Sequence, residues 1–477
     1  MIDFLTPNRH PPKLHLKFIN KEKYRQQYAL LLFLYITENL MPMKKNSTIA
    51  QRTNRSDTLS KFMRKSATWT FALLSSLMVA CESGSNNDCT KWIDRCNIVA
   101  TRTVAGKDTI VSCDFSAVKQ TVQIPISMLV DSLEVIKLDN SNEKALIGFA
   151  WPLEITENYI GINVSHSPFR VFTRQGKFVA PIGNTGQGPG EYKLIHSHQI
   201  DEAHNRVYLL PTRTKQILVY NLQGHYIGNI PLPYLVHLGQ IHVDYDKQLV
   251  TIIQLSLTKN FYKGRTPSPP IWIQDMEGNI IHENRAPQLS LSGGGYGNGI
   301  RFCENRTDHY IFSLFRMCWG IGVADSLYTY LPDSNKLSPK FTANFGEEIP
   351  IHDYRDYGEY FYTYIWGPNN NPKYMHKFTV MIAKRIIVNK HTLKGAFYEI
   401  KNDYLGGIAL EDQWWTWTKH GYAACMDPGD LIALIEERLK SPEIADADRK
   451  FLNNWKDKIS PDDNSYVILG KWKKRVH

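Results

Sequence analysis

The stretch IGNTGQGPGEYKL, Ile182–Leu194, holds the residue types that come nearest to a known chemistry. Gly183, Gly186, Gly188 and Gly190 lie in it, with Gly176 just upstream. Glycines that bare backbone N–H groups can cradle a phosphate ahead of a helix. A phosphate loop of that kind needs G-x-x-x-x-G-K-[ST], with lysine for the phosphates and a hydroxyl for magnesium. Here Gly190 is followed by Glu191 and Tyr192, and the acid would repel phosphate. The dinucleotide fingerprint G-x-G-x-x-G fails as well, because Glu191 stands where its third glycine belongs. The residues that follow, KLIHSHQIDEAHNRVYLL, read as strand, turn and strand rather than helix. We therefore read Gly186, Gln187, Gly188, Pro189, Gly190, Glu191 and Tyr192 as a structural corner between the outer hairpin of one sheet and the inner strand of the next. Gln187, Glu191 and Tyr192 would supply the hydrogen bonds that a buried corner requires.

The other chemical candidates are weaker. In DYRDYGEYFYTYIWGP, Asp353–Pro368, residues Tyr357, Tyr360, Tyr362 and Trp366 could form a stacking platform for a sugar or peptide. The competing role, alternate rings packed between sheets, is the commoner one. Trp415 and Trp417 share a face by the same period of two. The pairs Asp353/Asp356 and Glu347/Glu348 sit in no recognisable acid–base setting. His237 and His242 lack a third ligand, and no two cysteines have C-x-x-C spacing, so neither a metal nor another cofactor is expected. SLSGGGYGNGI, Ser290–Ile300, reads as a flexible loop at one end of the fold. No nucleophile elbow and no H-E-x-x-H is present.

These residues must be positioned by an exported body. MRKSATWTFALLSSLMVAC, Met63–Cys81, runs basic, apolar, small residue, cysteine, and a polar ESGSNND follows. Its apolar part suits a secretion signal and is too short to span a bilayer. The end, Leu-Met-Val-Ala-Cys, resembles a bacterial lipobox, in which Cys81 would carry the lipid. On this reading 1–62 is an upstream extension that is not part of the working protein, 63–80 is the signal, 81–118 is a polar tether and 119–477 is the folded domain. An unusually long basic lead-in to the signal is the alternative for 1–62. Cys89 could pair with Cys96 or Cys113 to staple the tether, while Cys303 and Cys318 read as core residues on strands. Residues 1–80 carry 13 Lys/Arg against 4 Asp/Glu, and the remainder 43 against 42. The basic excess thus lies outside the body, and a nucleic-acid partner is set aside.

From about residue 119 the chain is a series of short apolar strands broken by turns, and helical periodicity is nearly absent until Pro428–Lys440. FRVFTRQGKFVAPIG, ILVYNLQGHYIGNIPLP and IWIQDMEGNIIHEN align on Gly176, Gly224 and Gly278. Each reads as a hairpin whose glycine takes a positive φ. Weaker copies lie at 324–346, with Asp333–Lys336 as its turn, and at 384–403, with Gly395. Repeats of strands at this spacing are the mark of propeller blades. The fold class is all-β, a six-bladed β-propeller behind an N-terminal signal and tether.

IGNTGQGPGEY after VFTRQGKFVAP, with MLVDSLEVIKLDNSNEKALIG upstream, resembles the six-bladed propeller lipoproteins of Bacteroides-type bacteria, an NHL/TolB-like group. The likeness covers roughly Ile124 to Leu439. Asn184-Thr185 and eroded third and fourth blades depart from the pattern. The resemblance implies fold, export and lipid anchoring in the cell envelope, at the outer membrane, and no reaction. The expected role is a binding or scaffold module for a protein, peptide or glycan. An enzyme, a lyase or hydrolase at the channel mouth, is the alternative, and it would need His, Asp, Glu or Arg converging on one pocket.

Overall fold

The computed structural model describes residues 91–473, apart from 107, 149, 165, 258–267, 292–298, 317–324, 369–379, 411–415 and 418–420. The signal segment, Cys81, Cys89, Cys318, Trp415 and the glycines of 292–298 lie outside the described residues.

Six antiparallel sheets follow one another along the chain as the blades of a β-propeller. Blade 1 is Ala150–Ile155, Tyr159–Val164, Phe169–Thr173 and Phe178–Ile182. Blade 2 is Ile195–Asp201, Arg206–Pro211, Thr214–Tyr220 and Tyr226–Val236. Blade 3 is Gly239–Asp244, Leu249–Gln254, Ile271–Asp275 and Ile280–Asn284. Blade 4 begins with Gly299–Arg306, His309–Phe315, Ser326–Leu331 and Lys336–Asn344. Blade 5 begins with Ile351–Tyr357, Tyr360–Pro368, Val380–Asn389 and Gly395–Lys401. Blade 6 is Thr416–Trp417, Gly421–Met426, Tyr466–Trp472 and, from the front of the chain, Val130–Lys137. That last strand pairs antiparallel with Tyr466–Trp472 and so closes the ring with the two ends of the chain.

The hairpins behave as the glycine spacing predicts. Gly176, Gly224 and Gly278 all have positive φ. A Cβ on Gly176 or Gly224 would also lie 2.1 or 2.4 Å from the carbonyl oxygen of Lys137 or Pro181, in the outer strand of the preceding blade. Glycine here serves both the turn and the close approach of neighbouring blades. In the fifth blade the positive φ belongs to Leu393 instead, and Gly395 opens the next strand.

The tether expectation is corrected in part. Ala100–Ala105 and Asp108–Asp114 form a hairpin whose second strand adds parallel to Lys336–Asn344, making blade 4 six-stranded. Val111 and Cys113 point into its core. Thr121–Pro125 likewise extends blade 5. Alternating burial along Asp108–Asp114 explains why this segment packs rather than dangles. Cys96 and Cys113 are free thiols, so neither staples a tether. Between the second and third strands of blade 6 sit two helices, Pro428–Leu439 and Asp446–Lys456. They bury Leu431, Ile435 and Leu452 against Ile408 and Tyr466. Asp427 caps the first by accepting the N–H of Gly429.

At one end of the ring the first turns of blades 1 to 4 reach from each blade to the next. Glu202 accepts two bonds from Asn158, Asp246 meets His204, and Thr307 donates to Asp244. The opposite end carries the blade-to-blade connections, including 183–194.

Candidate functional site

The connection 183–194 is a built corner. Gly183 and Gly190 have φ of 70° and 71°. The Tyr192 hydroxyl accepts the Phe169 N–H at 2.8 Å and donates to the Ile182 carbonyl. Phe169 and Ile182 are cross-strand partners in blade 1, so the hydroxyl is inserted into a rung of that ladder. Tyr220, from blade 2, donates to the Gly190 carbonyl. Glu191 turns back to accept the Gly188 N–H at 2.9 Å, and Asn184-Thr185 pairs with Glu191-Tyr192. Within the loop the Gly186 N–H donates to the Tyr192 carbonyl and the Glu191 N–H to the Gly188 carbonyl, and the Glu191 side chain fills the space beside Gly186 and Gly188.

The innermost strands carry the polar groups nearest the axis. Asp353, fully buried on the inner strand of blade 5, forms ion pairs with Arg355 at 2.8 Å and with Arg301 of blade 4 at 3.1 Å, and accepts a hydrogen bond from the Trp366 indole at 3.0 Å. Arg301 lies over the Phe315 ring, which meets Trp366 edge to face. Arg355 lies over the Tyr364 ring. Burial pulls the Arg301 guanidinium down to about 10, against the opposing pull of Asp353. A second buried pair, Arg316 and Asp325 at 2.9 Å, stands on the connecting segment of blade 4. Burial pushes the Asp325 carboxyl up to about 6.

Across the ring, Glu154 of blade 1 accepts the Ile200 N–H of blade 2 at 2.9 Å. Its other oxygen is buried without a hydrogen bond, 3.9 Å from His198 Nε2. His196 sits on the same strand, at a β-bulge between Ile195 and Ser197.

The expected aromatic platform is corrected. Tyr360, Tyr362 and Trp366 take alternate positions along the second strand of blade 5, and Tyr357 is the direct cross-strand partner of Tyr360, but the tyrosines pack inward. Tyr362 is 1% exposed and touches Tyr398 and Trp417. Tyr357 lies against Trp417 and Trp472 of blade 6, and Tyr360 stacks on Trp92. Trp366 is half-buried and donates its indole N–H to Asp353.

The domain of unknown function DUF4934 matches residues 110–471. The chain belongs to this family. Among solved structures, the DUF4934 chain is similar to a candidate exported protein of Bacteroides fragilis, with a TM-score of 0.51 at 15% identity, over 76% of this chain and all of that one. A DUF4221 member from Bacteroides vulgatus matches with a TM-score of 0.40 at 11% identity, over 73% of this chain and 98% of that one. No curated protein matches significantly.

Several residues of the DUF4934 domain with notable environments escape sequence reading. Arg301 and Asp353 are far apart in the chain and meet only because adjacent blades do. Glu154, His196 and His198 belong to no motif. His242, considered above as half of a metal pair, instead meets the Tyr310 hydroxyl at 2.8 Å. Asp356 is held by Lys340 at 2.6 Å and by Lys390. Cys303, Cys113 and Cys425 are thiols raised by burial, to about 11 for Cys303 and about 12 for the other two. Among the described residues no group of three His, Cys, Asp or Glu could hold a metal ion.

Proposed function

We propose that this DUF4934 protein is an exported, lipid-anchored β-propeller that binds a protein, peptide or glycan at the connection-bearing end of its channel. The observation that carries the reading is the group at the seam of blades 4 and 5. A guanidinium and an indole, Arg301 and Trp366, both half-buried, are fixed side by side by one buried carboxylate. Arginine and tryptophan held rigid by packing are the side chains that most often dominate a binding surface. The charged groups around them are engaged with one another as ion pairs, an arrangement suited to recognition and rigidity rather than to proton transfer. The order of residues in Met63–Cys81 supports export and anchoring, and similarity to a candidate exported protein of Bacteroides fragilis is in keeping with export.

The test is a thermal-shift and calorimetric screen of the purified chain against glycans and peptides, with Trp366→Ala alongside. A ligand that stabilises the wild type and is lost on Trp366→Ala supports the reading. Turnover of a screened compound, or binding unaffected by Trp366→Ala, would move the site or the class of activity. Cys81→Ser tests the anchor: it should leave the membrane fraction or accumulate as precursor.

A further inference from the structure

Three consecutive seams between inner strands, from blade 6 through blades 1 and 2 to blade 3, are made by side chains that reach the backbone of the neighbouring strand. Thr416 of blade 6 accepts the Leu153 N–H. Gln199 of blade 2 takes both groups of Val243 in blade 3, donating to its carbonyl at 2.7 Å and accepting its N–H at 2.8 Å. Glu154 does the same work between blades 1 and 2, where it accepts the Ile200 N–H. It is an acid where the next seam has an amide, and its second oxygen has no hydrogen bond.

His198 Nε2, 3.9 Å from that oxygen, is the one base within ion-pair range of it among the described residues. Its Nδ1 is buried without a hydrogen bond and its ring lies 4.8 Å from Phe169. The surrounding elements leave the pair to itself. His196, two residues earlier, has a buried Nε2 without a hydrogen bond, and Asp201 is engaged by His204. Arg170 on the third strand of blade 1 gives its guanidinium to Lys144, Ser167 and Pro168. On the strand behind, Tyr159–Val164, Tyr159 is the sole titratable side chain. On the blade 6 side, the ionisable group packed with Leu153 is the Cys425 thiol.

We propose that Glu154 and His198 together hold a single proton and that this proton latches blade 1 to blade 2. With one proton the pair is either two neutral groups or an ion pair, and both suit a buried seam. With none it is an uncompensated carboxylate, and with two an uncompensated imidazolium, and a lone buried charge is strongly disfavoured. The directions agree. Burial pushes Glu154 up to about 8 and His198 and His196 down to about 4. The latch therefore holds best between those values, and its two steps belong to the pair.

The sign follows from linkage. Glu154 keeps a proton that a solvated carboxylate loses, so opening the seam becomes easier as pH rises, up to tenfold per unit, from the ordinary glutamate range to about 8. The histidines oppose this between about 4 and their ordinary range near 6.5, so the net loosening is seen above about 6.5.

Hydrogen exchange of the full chain tests it, corrected for intrinsic rates, comparing peptides over 195–201 and 239–244. The first contains the amide held by Glu154 and the second the one held by Gln199, which cannot titrate. We expect protection of 195–201 to fall by close to tenfold per unit between pH 6.5 and 8 while 239–244 holds. Glu154→Gln should abolish the difference. Parallel behaviour of the two peptides in the wild type, or a persistent difference in Glu154→Gln, would overturn the proposal. The wild-type comparison stands even if the variant does not fold.

Discussion

Removing one oxygen atom tests the corner 183–194 most sharply. Tyr192→Phe keeps the ring, which is 3% exposed and packs with Phe169, Ile182 and Tyr220. It deletes only the hydroxyl that joins the Phe169 N–H to the Ile182 carbonyl. Both backbone groups are in a buried part of blade 1. Leaving a buried donor or acceptor without a partner costs about 1–3 kcal/mol. Partial closure of the rung recovers some of this, so we expect about 2 kcal/mol. For a cooperative domain of about 380 residues, with an unfolding entropy near 2 cal/mol/K per residue, that is a fall in Tm of about 2–3 °C. Differential scanning fluorimetry or circular dichroism at pH 6.5 would read it, and ligand binding should survive below the transition. An unchanged Tm would mean that the strands close freely without the hydroxyl and that Tyr192 does not hold the corner.

Gly190→Val places a branched side chain at φ 71° and 2.8 Å from the Tyr226 ring, and should lower stability by about 1–3 kcal/mol in a urea titration. Glu191→Gln keeps the bond to the Gly188 N–H but not its charge, and should lower Tm by less than Tyr192→Phe while binding is retained; lost binding at unchanged Tm would make the corner a site. Asp353→Asn leaves Arg301 and Arg355 without their shared counter-charge and should cost about 3–5 kcal/mol, read by denaturant unfolding. The hydrogen bond that His204 donates to Asp201, aided by Asp246, raises the pKa of His204, so its contribution is complete below about pH 6.5 and is lost as pH climbs through the raised value. His204→Gln should flatten that part of the Tm–pH curve.

What could be read from sequence and what could not divide along one physical line. Gly176, Gly224 and Gly278 announce themselves because the requirement is local: a positive φ at each turn, and at the first two a neighbouring carbonyl too close for a Cβ. Their spacing therefore reports the blade repeat, and Glu191 and Tyr192 report the corner because their partners lie within a few residues or on the adjacent hairpin. Ring closure has no such signature. Val130–Lys137 reads as an ordinary strand, and only its pairing with Tyr466–Trp472 makes it part of the last blade. The strand Asp108–Asp114 was hidden for the same reason, behind a composition that resembles a linker.

The aromatic stripe shows a subtler limit. Tyr360, Tyr362 and Trp366 stand at alternate positions and the hairpin sets Tyr357 opposite Tyr360, yet in a propeller both faces of a blade meet other blades. A period of two therefore cannot separate a binding platform from a seam. What distinguishes Trp366 is its position at the connection-bearing end beside Asp353, a property of the second strand's length and of Arg301 arriving from the blade before. Glu154 obeys the same logic. Against Gly161 in its own blade it is an unremarkable strand residue. Against Gln199 one blade further on, it is an acid doing an amide's work, and that comparison becomes available only when the ring has placed the two seams side by side.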